Sequence, residues 1–203
     1  MISAKELDRT NSFSAEEFAG LIFDCDGTLT DSMPLHYEAW RTTMARYGIA
    51  FAEEQFYALG GIPSFEIVRL LAAEHSLELN SQLVAEQKEN HFISLMDSLQ
   101  PIEAVCEIAR RSFQKRPISV ASGGTRELIH AQLERVSLKQ YFEIVVCAED
   151  TEKHKPHPDV FLEAARRMKI APQDCCVFED SPLGIEAARR AGMCFVDIRY
   201  VVS

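Results

Sequence analysis

The sequence predicts an α/β protein with a parallel sheet, interrupted once by an all-helical segment. Three observations carry this. Short apolar runs at 21–24, 118–121, 144–147, 175–178 and 194–196 alternate with segments of helical period. Strands alternating with helices of roughly ten to fifteen residues build right-handed βαβ units. The first run ends on two carboxylates spaced by one, Asp24 and Asp26, with a turn at Gly27. From residue 34 to 97 the apolar spacing is helical throughout.

Residues 1–19 read as a polar leader with a helical turn near 14–18. The run 21–24 is a buried strand because it is apolar without alternation. Tyr37, Trp40, Met44 and Tyr47 recur at helical spacing and Gly48 supplies the C-cap. Phe56 and Leu59 mark a short helix ended by Gly60-Gly61. Ser64 is expected to cap a third helix carrying Phe65, Val68, Leu71 and Ala72, and Ser81 a fourth, with Leu83, Val84, His91, Leu95 and Met96 towards its apolar side. Pro34 and Pro101 stand where linkers belong, and Pro101 is expected to open a helix carrying Val105 and Ala109. After 118–121 come Ser122-Gly123-Gly124-Thr125 and a helix with Leu128, Ile129 and Leu133. Pro158 starts a helix after the third strand. Ser181 as N-cap and Pro182 at N1 start one after the fourth, ending at Gly192. The expected domains are therefore a core of residues 1–33 and 98–203 and a helical insertion, 34–97, placed to act as a lid.

There are 21 Lys plus Arg against 31 Asp plus Glu, a formal net charge of −10. An acidic chain without basic runs is a poor partner for nucleic acid or an anionic membrane, so any anionic substrate must be met by local positive charge. The leader lacks an apolar stretch of the signal-peptide kind, and no run is long enough to span a bilayer. The six cysteines, Cys25, Cys106, Cys147, Cys175, Cys176 and Cys194, lie mostly in strand-like runs without Cys-x-x-Cys spacing, as buried free thiols do. A cytoplasmic protein is expected.

Four strand ends deliver polar groups to one edge of a parallel sheet, the edge where open α/β sheets bind ligands. The first gives Asp24 and Asp26, which point the same way because residues two apart on a strand share a side, while Cys25 points oppositely. Two carboxylates so close repel unless a cation or proton lies between them. Gly27 permits the sharp turn and close approach to a ligand. The second gives Ser122, Gly123 and a helix N-terminus suited to phosphate. The third brings the loop 153–158 with Lys155, and the fourth Glu179 and Asp180. Hard oxygen donors with one hydroxyl and one ammonium describe a Mg²⁺-dependent phosphoryl site.

Asp24-x-Asp26-Gly27-Thr28, Ser122-Gly123, Lys155-Pro156 and Glu179-Asp180-Ser181 resemble the four motifs of the haloacid dehalogenase superfamily, and the helical insertion resembles its C1 cap. His36-Tyr37-Glu38-Ala39-Trp40 and the stretch 178–188 are similar to the β-phosphoglucomutase-like branch, nearest its small sugar phosphatases. The resemblance implies a Rossmann-like core and a phosphatase acting on a small phosphorylated metabolite, a sugar phosphate. It implies Asp24 as nucleophile forming an aspartyl-phosphate, and Asp26 as general acid and base. Lys155 and Ser122 would hold phosphoryl oxygens. Mg²⁺ would lie on the Asp24 carboxylate, the Asp26 carbonyl and Asp180, with Glu179 holding a metal-bound water. His36 either lines the site or is packing, and Arg126 either binds phosphate or is a solvated helix charge. The mutases of this branch carry an Arg after the cap Gly, where Gly61-Ile62-Pro63-Ser64 has none, so hydrolysis is favoured over a β-phosphoglucomutase-type isomerase. A catalytically silent relative that binds a phosphometabolite is the rival from another class, opposed by the intact pair Asp24 and Asp26. Lys88, the one Lys of the insertion, is expected on a solvated face. A monomer that binds neither nucleic acid nor membrane is expected.

Overall fold

A computed structural model describes residues 15–200. The leader's first fourteen positions lie outside them, and the turn expected near 14–18 is a single 3₁₀ turn at Ala15–Glu17. Five strands, β1 (Gly20–Phe23), β2 (Ile118–Ala121), β3 (Ile144–Val146), β4 (Cys175–Glu179) and β5 (Cys194–Asp197), form one sheet in the order β3-β2-β1-β4-β5. Every pairing is parallel, with Phe23 opposite both Val120 and Phe178. The order reverses at β1, so the crevice beyond the carboxyl ends of β1 and β4 is the place where such sheets receive a ligand.

The sheet is buried on both faces, as an all-parallel sheet must be. Leu21, Phe23 and Phe178 face α5 (Glu103–Ser112) and α6 (Arg126–Arg135); Ile22 and Val177 face α7 (Asp159–Met168) and α8 (Pro182–Arg190). Phe23 and Phe178 stack across neighbouring strands with ring centroids 4.7 Å apart. Cys25 packs with the first set, so it points away from the side of Ile22, as the strand period requires. All six cysteines are free thiols.

Four helices fill the stretch between β1 and α5: α1 (Met33–Ala45), α2 (Glu53–Ala58), α3 (Ser64–Glu74) and α4 (Ser81–Leu95). They enclose a separate apolar cluster around Trp40, Met44, Phe56, Val68 and Leu71. Gly48, at φ +74°, lets Ile49 N–H reach back to the Met44 carbonyl and Gly48 N–H to that of Ala45, the glycine-terminated helix end the sequence indicates. Three expectations change. The N-cap of α4 is Asn80, whose side chain accepts from Leu83 N–H, not Ser81. Pro63 precedes α3, and Ser64 sits inside it, donating to Glu89 at 2.6 Å. Pro101 pairs with Thr30 in an isolated bridge, and α5 begins at Glu103. Among the described residues no helix is long and apolar enough to cross a membrane.

The loop after β3 is tied down by Asp150, which accepts from Arg167 at 2.7 Å, from Arg126 at 2.6 Å and from Cys147 N–H at 2.8 Å. Burial pushes this carboxyl up, but the Arg167, Cys147 and Arg126 donors outweigh it and hold it at about 2. A carboxyl depressed on folding adds stability above its ordinary range and loses it as pH falls towards the folded value. Asp150→Asn should therefore cost about 1–2 kcal/mol at neutral pH, the low end because both guanidinium partners are partly solvated. The gap to wild type in urea unfolding should close as pH is lowered from about 4 to about 2.

Candidate active site

β1 runs out at Asp24, whose N–H continues the sheet by donating to the Phe178 carbonyl at 3.0 Å. The next turn is closed by Gly27 N–H to Thr30 carbonyl and by Thr30 N–H to Cys25 carbonyl. Gly27 adopts φ +77°, and a Cβ there would overlap the Asp180 carboxylate arriving from the end of β4. Thr28 Oγ1 donates to Asp180 Oδ1 at 3.0 Å from the same turn. The two acidic loops are thus built against each other. Asp24, Glu179 and Asp180 each offer a carboxylate oxygen within 4.8 Å of the others.

One buried ammonium holds two of these. Lys155 Nζ donates to Asp24 Oδ1 at 2.7 Å and to Glu179 Oε1 at 2.9 Å, with its side chain 1% exposed. Glu179 also accepts from Asp180 N–H, Ser181 N–H and Ser181 Oγ. Burial opposes its ionisation, but Lys155 and the Ser181 donors hold it below its ordinary value. Asp24 has fewer donors. Burial, against the pull of Lys155 and with Glu179 and Asp26 repelling, raises its carboxyl above the usual range. Asp180 is raised for the same reasons, burial first and then Glu179 and Asp24. The oxygens of Glu179 are already engaged by protein donors, so those left for a cation belong to Asp24 and Asp180. These are hard donors with excess negative charge, and they fit Mg²⁺.

Asp26 lies apart from this cluster. Its Oδ1 accepts from Ser32 Oγ at 2.7 Å and Gln132 Nε2 at 2.9 Å and meets His36 Nε2 at 2.7 Å. Burial resists, but His36, Ser32 and Gln132 keep this carboxyl well below the usual carboxylate range. Behind His36 stands Lys88, with Nζ 2.8 Å from Nδ1. An ammonium can only donate, so Nδ1 accepts and Nε2 carries the hydrogen given to Asp26. The imidazole is stacked on Phe92 at 3.7 Å between centroids, and Lys88 Nζ lies 5.3 Å from the Trp40 ring centroid. Burial lowers the proton affinity of both His36 and Lys88.

Asp24, Asp26, His36, Ser122, Gly123 and Asp180 line one cavity of about 70 Å³ beneath the helical insertion. Lys155 lies behind its floor, against Gly61, where a Cβ would press on its side chain. A Cβ on Gly123 would overlap the Gly61 carbonyl, so the insertion and the β2 loop meet backbone to backbone. Arg126 is not brought to this cavity. Its guanidinium is spent on Asp150, and its N–H donates to the Glu149 carboxylate at 2.9 Å, so the first turn of α6 already holds a protein anion.

Lys88 overturns its expected solvated placement: it is 2% exposed. The buried residues of α4 are Val84, Ala85, Lys88 and Phe92; of the expected apolar side Val84 and Met96 are buried and Leu95 packs partly buried against the core, while Leu83 is exposed. Spacing of 84, 85, 88 and 92 was the available signal. Ser32 and Gln132 carry no such signal, since only the folded chain brings α6 to the β1 turn.

The family model for haloacid dehalogenase-like hydrolases matches residues 21–198. Fructose-1-phosphate phosphatase YqaB of Escherichia coli is 38% identical over 187 residues, covering 92% of this chain and 99% of that protein. A phosphorylated carbohydrates phosphatase of Thermotoga maritima is 30% identical over 85% of this chain and 81% of its own length. Among solved structures, β-phosphoglucomutase of Clostridium difficile superposes with TM-score 0.78 at 26% identity, over 91% of this chain and 87% of its own.

Gly184 in α8 faces the Glu179 carboxylate, which a Cβ would overlap. Gly184→Ala should force that buried side chain off its Lys155 and Ser181 partners and cost about 1–3 kcal/mol in urea unfolding, typical of overpacking.

Proposed function

The chain belongs to the haloacid dehalogenase-like hydrolase family, and on that premise we propose that it is a Mg²⁺-dependent phosphatase releasing inorganic phosphate from a small sugar phosphate. Its standing as a phosphoric monoester hydrolase rests on the family match and on the phosphatase named at 38% identity. The observation that carries the finer reading is the division of labour between two carboxylates of one turn. Asp24 has its Lys155 contact and an open side to the cavity. Asp26 is held by three side chains and lies outside the acidic cluster.

In this reading the insertion 34–97 is a cap and the remainder the core. Asp24 attacks phosphorus, forming an Asp24 Oδ–P bond as the bond from phosphorus to the sugar oxygen breaks. Lys155 neutralises Asp24 and Ser122 donates to a phosphoryl oxygen. Asp26 gives a proton to the leaving oxygen and later takes one from the attacking water. His36 can hand its Nε2 hydrogen to Asp26 while Nδ1 takes one from Lys88, so Asp26 starts the cycle protonated, and the proton it later takes from water returns to Lys88 by the same path. Asp24 and Asp180 would hold Mg²⁺, with Glu179 behind them, and the ion would neutralise phosphoryl charge. The insertion covers the site and excludes water. Ile62-Pro63-Ser64-Phe65, directly after Gly61, include no arginine to hold the second phosphate that mutase chemistry needs.

Phosphate release from sugar monophosphates should require Mg²⁺, stop on chelation, return on readdition, and be absent in Asp24→Asn. Conversion of β-glucose-1-phosphate to glucose-6-phosphate without phosphate release would select the isomerase instead. General acid help contributes roughly 10²–10⁴-fold, so Lys88→Met should lower kcat by a share of that with little change in KM. The loss should be larger for a sugar phosphate than for p-nitrophenyl phosphate, whose leaving group departs without a proton. Equal losses on both would remove Lys88 from the proton relay.

A further inference from the structure

We propose that Glu89, held in place by Ser64, sets the substrate class: it accepts hydroxyls from the uncharged polyol end of a sugar monophosphate and turns away substrates bearing a second anion. This rests on the phosphatase reading and narrows it. The inner cavity shares a wall with an outer one of about 690 Å³, and Ser64, Glu89, Gly123 and Leu128 line both. Glu89 therefore stands where the part of a substrate beyond its phosphoryl group must pass.

Three features give Glu89 this task. Ser64 Oγ donates to Oε1 at 2.6 Å, which fixes the carboxylate across the gap from α3 to α4. Its other oxygen, Oε2, is buried and has no hydrogen-bond partner. A buried acceptor left unpaired is costly, and a hydroxyl donor relieves that cost. The outer cavity is lined by Glu86, Glu89, Glu127 and Glu149, with no Lys or Arg among its lining residues. In the inner cavity the one Lys, Lys88, is turned to His36. A hydroxylated chain finds acceptors along this path, whereas a carboxylate or second phosphate meets like charge without a free cation. Discrimination thus comes from repulsion of the wrong substrate as well as attraction of the right one.

The test uses matched pairs differing by one anionic group: glucose 6-phosphate against 6-phosphogluconate, and fructose 1-phosphate against fructose 1,6-bisphosphate, each with Mg²⁺. Wild type should favour the neutral member of each pair in kcat/KM. In Glu89→Gln that preference should shrink about tenfold, the effect of removing one nearby like charge in a partly solvated cleft. Glu89→Lys should shrink it further. Each ratio is taken within one protein, so a smaller folded fraction does not alter it. If the wild type releases phosphate but shows no preference, or prefers the anionic members, the inference is overturned and the phosphatase reading stands. A preference that survives Glu89→Gln unchanged removes Glu89 from the role. If the wild type releases phosphate from no substrate, p-nitrophenyl phosphate included, the phosphatase reading itself falls and the inference with it.

Discussion

Three carboxylates and one ammonium, packed together at the reversal point of the sheet with only Asp180 partly exposed, are the constraint on which the rest depends. Left to themselves, Asp24, Glu179 and Asp180 would repel strongly at separations within 4.8 Å. Lys155 offsets part of this by touching two of them, and the donors around Glu179 fix which of the two stays ionised. The remaining excess falls on Asp24 and Asp180, the pair with open oxygens. Spare negative charge on hard oxygen donors is what a divalent cation would neutralise.

Glycine makes the crowding possible. At Gly27 the backbone is left-handed and leaves the space that Asp180 occupies; at Gly184 the helix leaves the space that Glu179 occupies. Each acidic side chain therefore packs against glycine backbone on one side while Thr28 holds Asp180, and Lys155 and Ser181 hold Glu179, on another. The parallel pairing of β1 with β4 sets the register, Phe23 opposite Phe178, so that the residues following each strand emerge at the same height.

The second carboxylate of the β1 turn is governed by the helical insertion. His36 from α1 reaches Asp26 and is backed by Lys88 from α4, while Gly61 meets Gly123 at the other side of the cleft. The contacts of Asp26 are therefore complete only with α1 and α4 packed over the β1 turn, whereas Asp24, Glu179, Asp180 and Lys155 are held by the strand-end loops. In the proposed reaction this division would couple protonation of the leaving group to exclusion of water.

Sequence alone determined the sheet, its five strands, the helical interruption and the acidic turns, because period and strand-end chemistry are local properties. It also brought Asp24, Asp26, Ser122, Lys155, Glu179 and Asp180 to one edge, since all loops after parallel strands leave on the same side. Tertiary structure decided what each group touches. Ser32, Gln132 and Lys88 converge on Asp26 and His36 from 6, 106 and 52 residues away, distances no periodicity encodes. Arg126 was turned to Asp150 by packing of the β3 loop, and Ser64 to Glu89 rather than to its own helix end. Lys88, expected on a solvated face, is buried, because its partner His36 is supplied only when two helices close over the same turn.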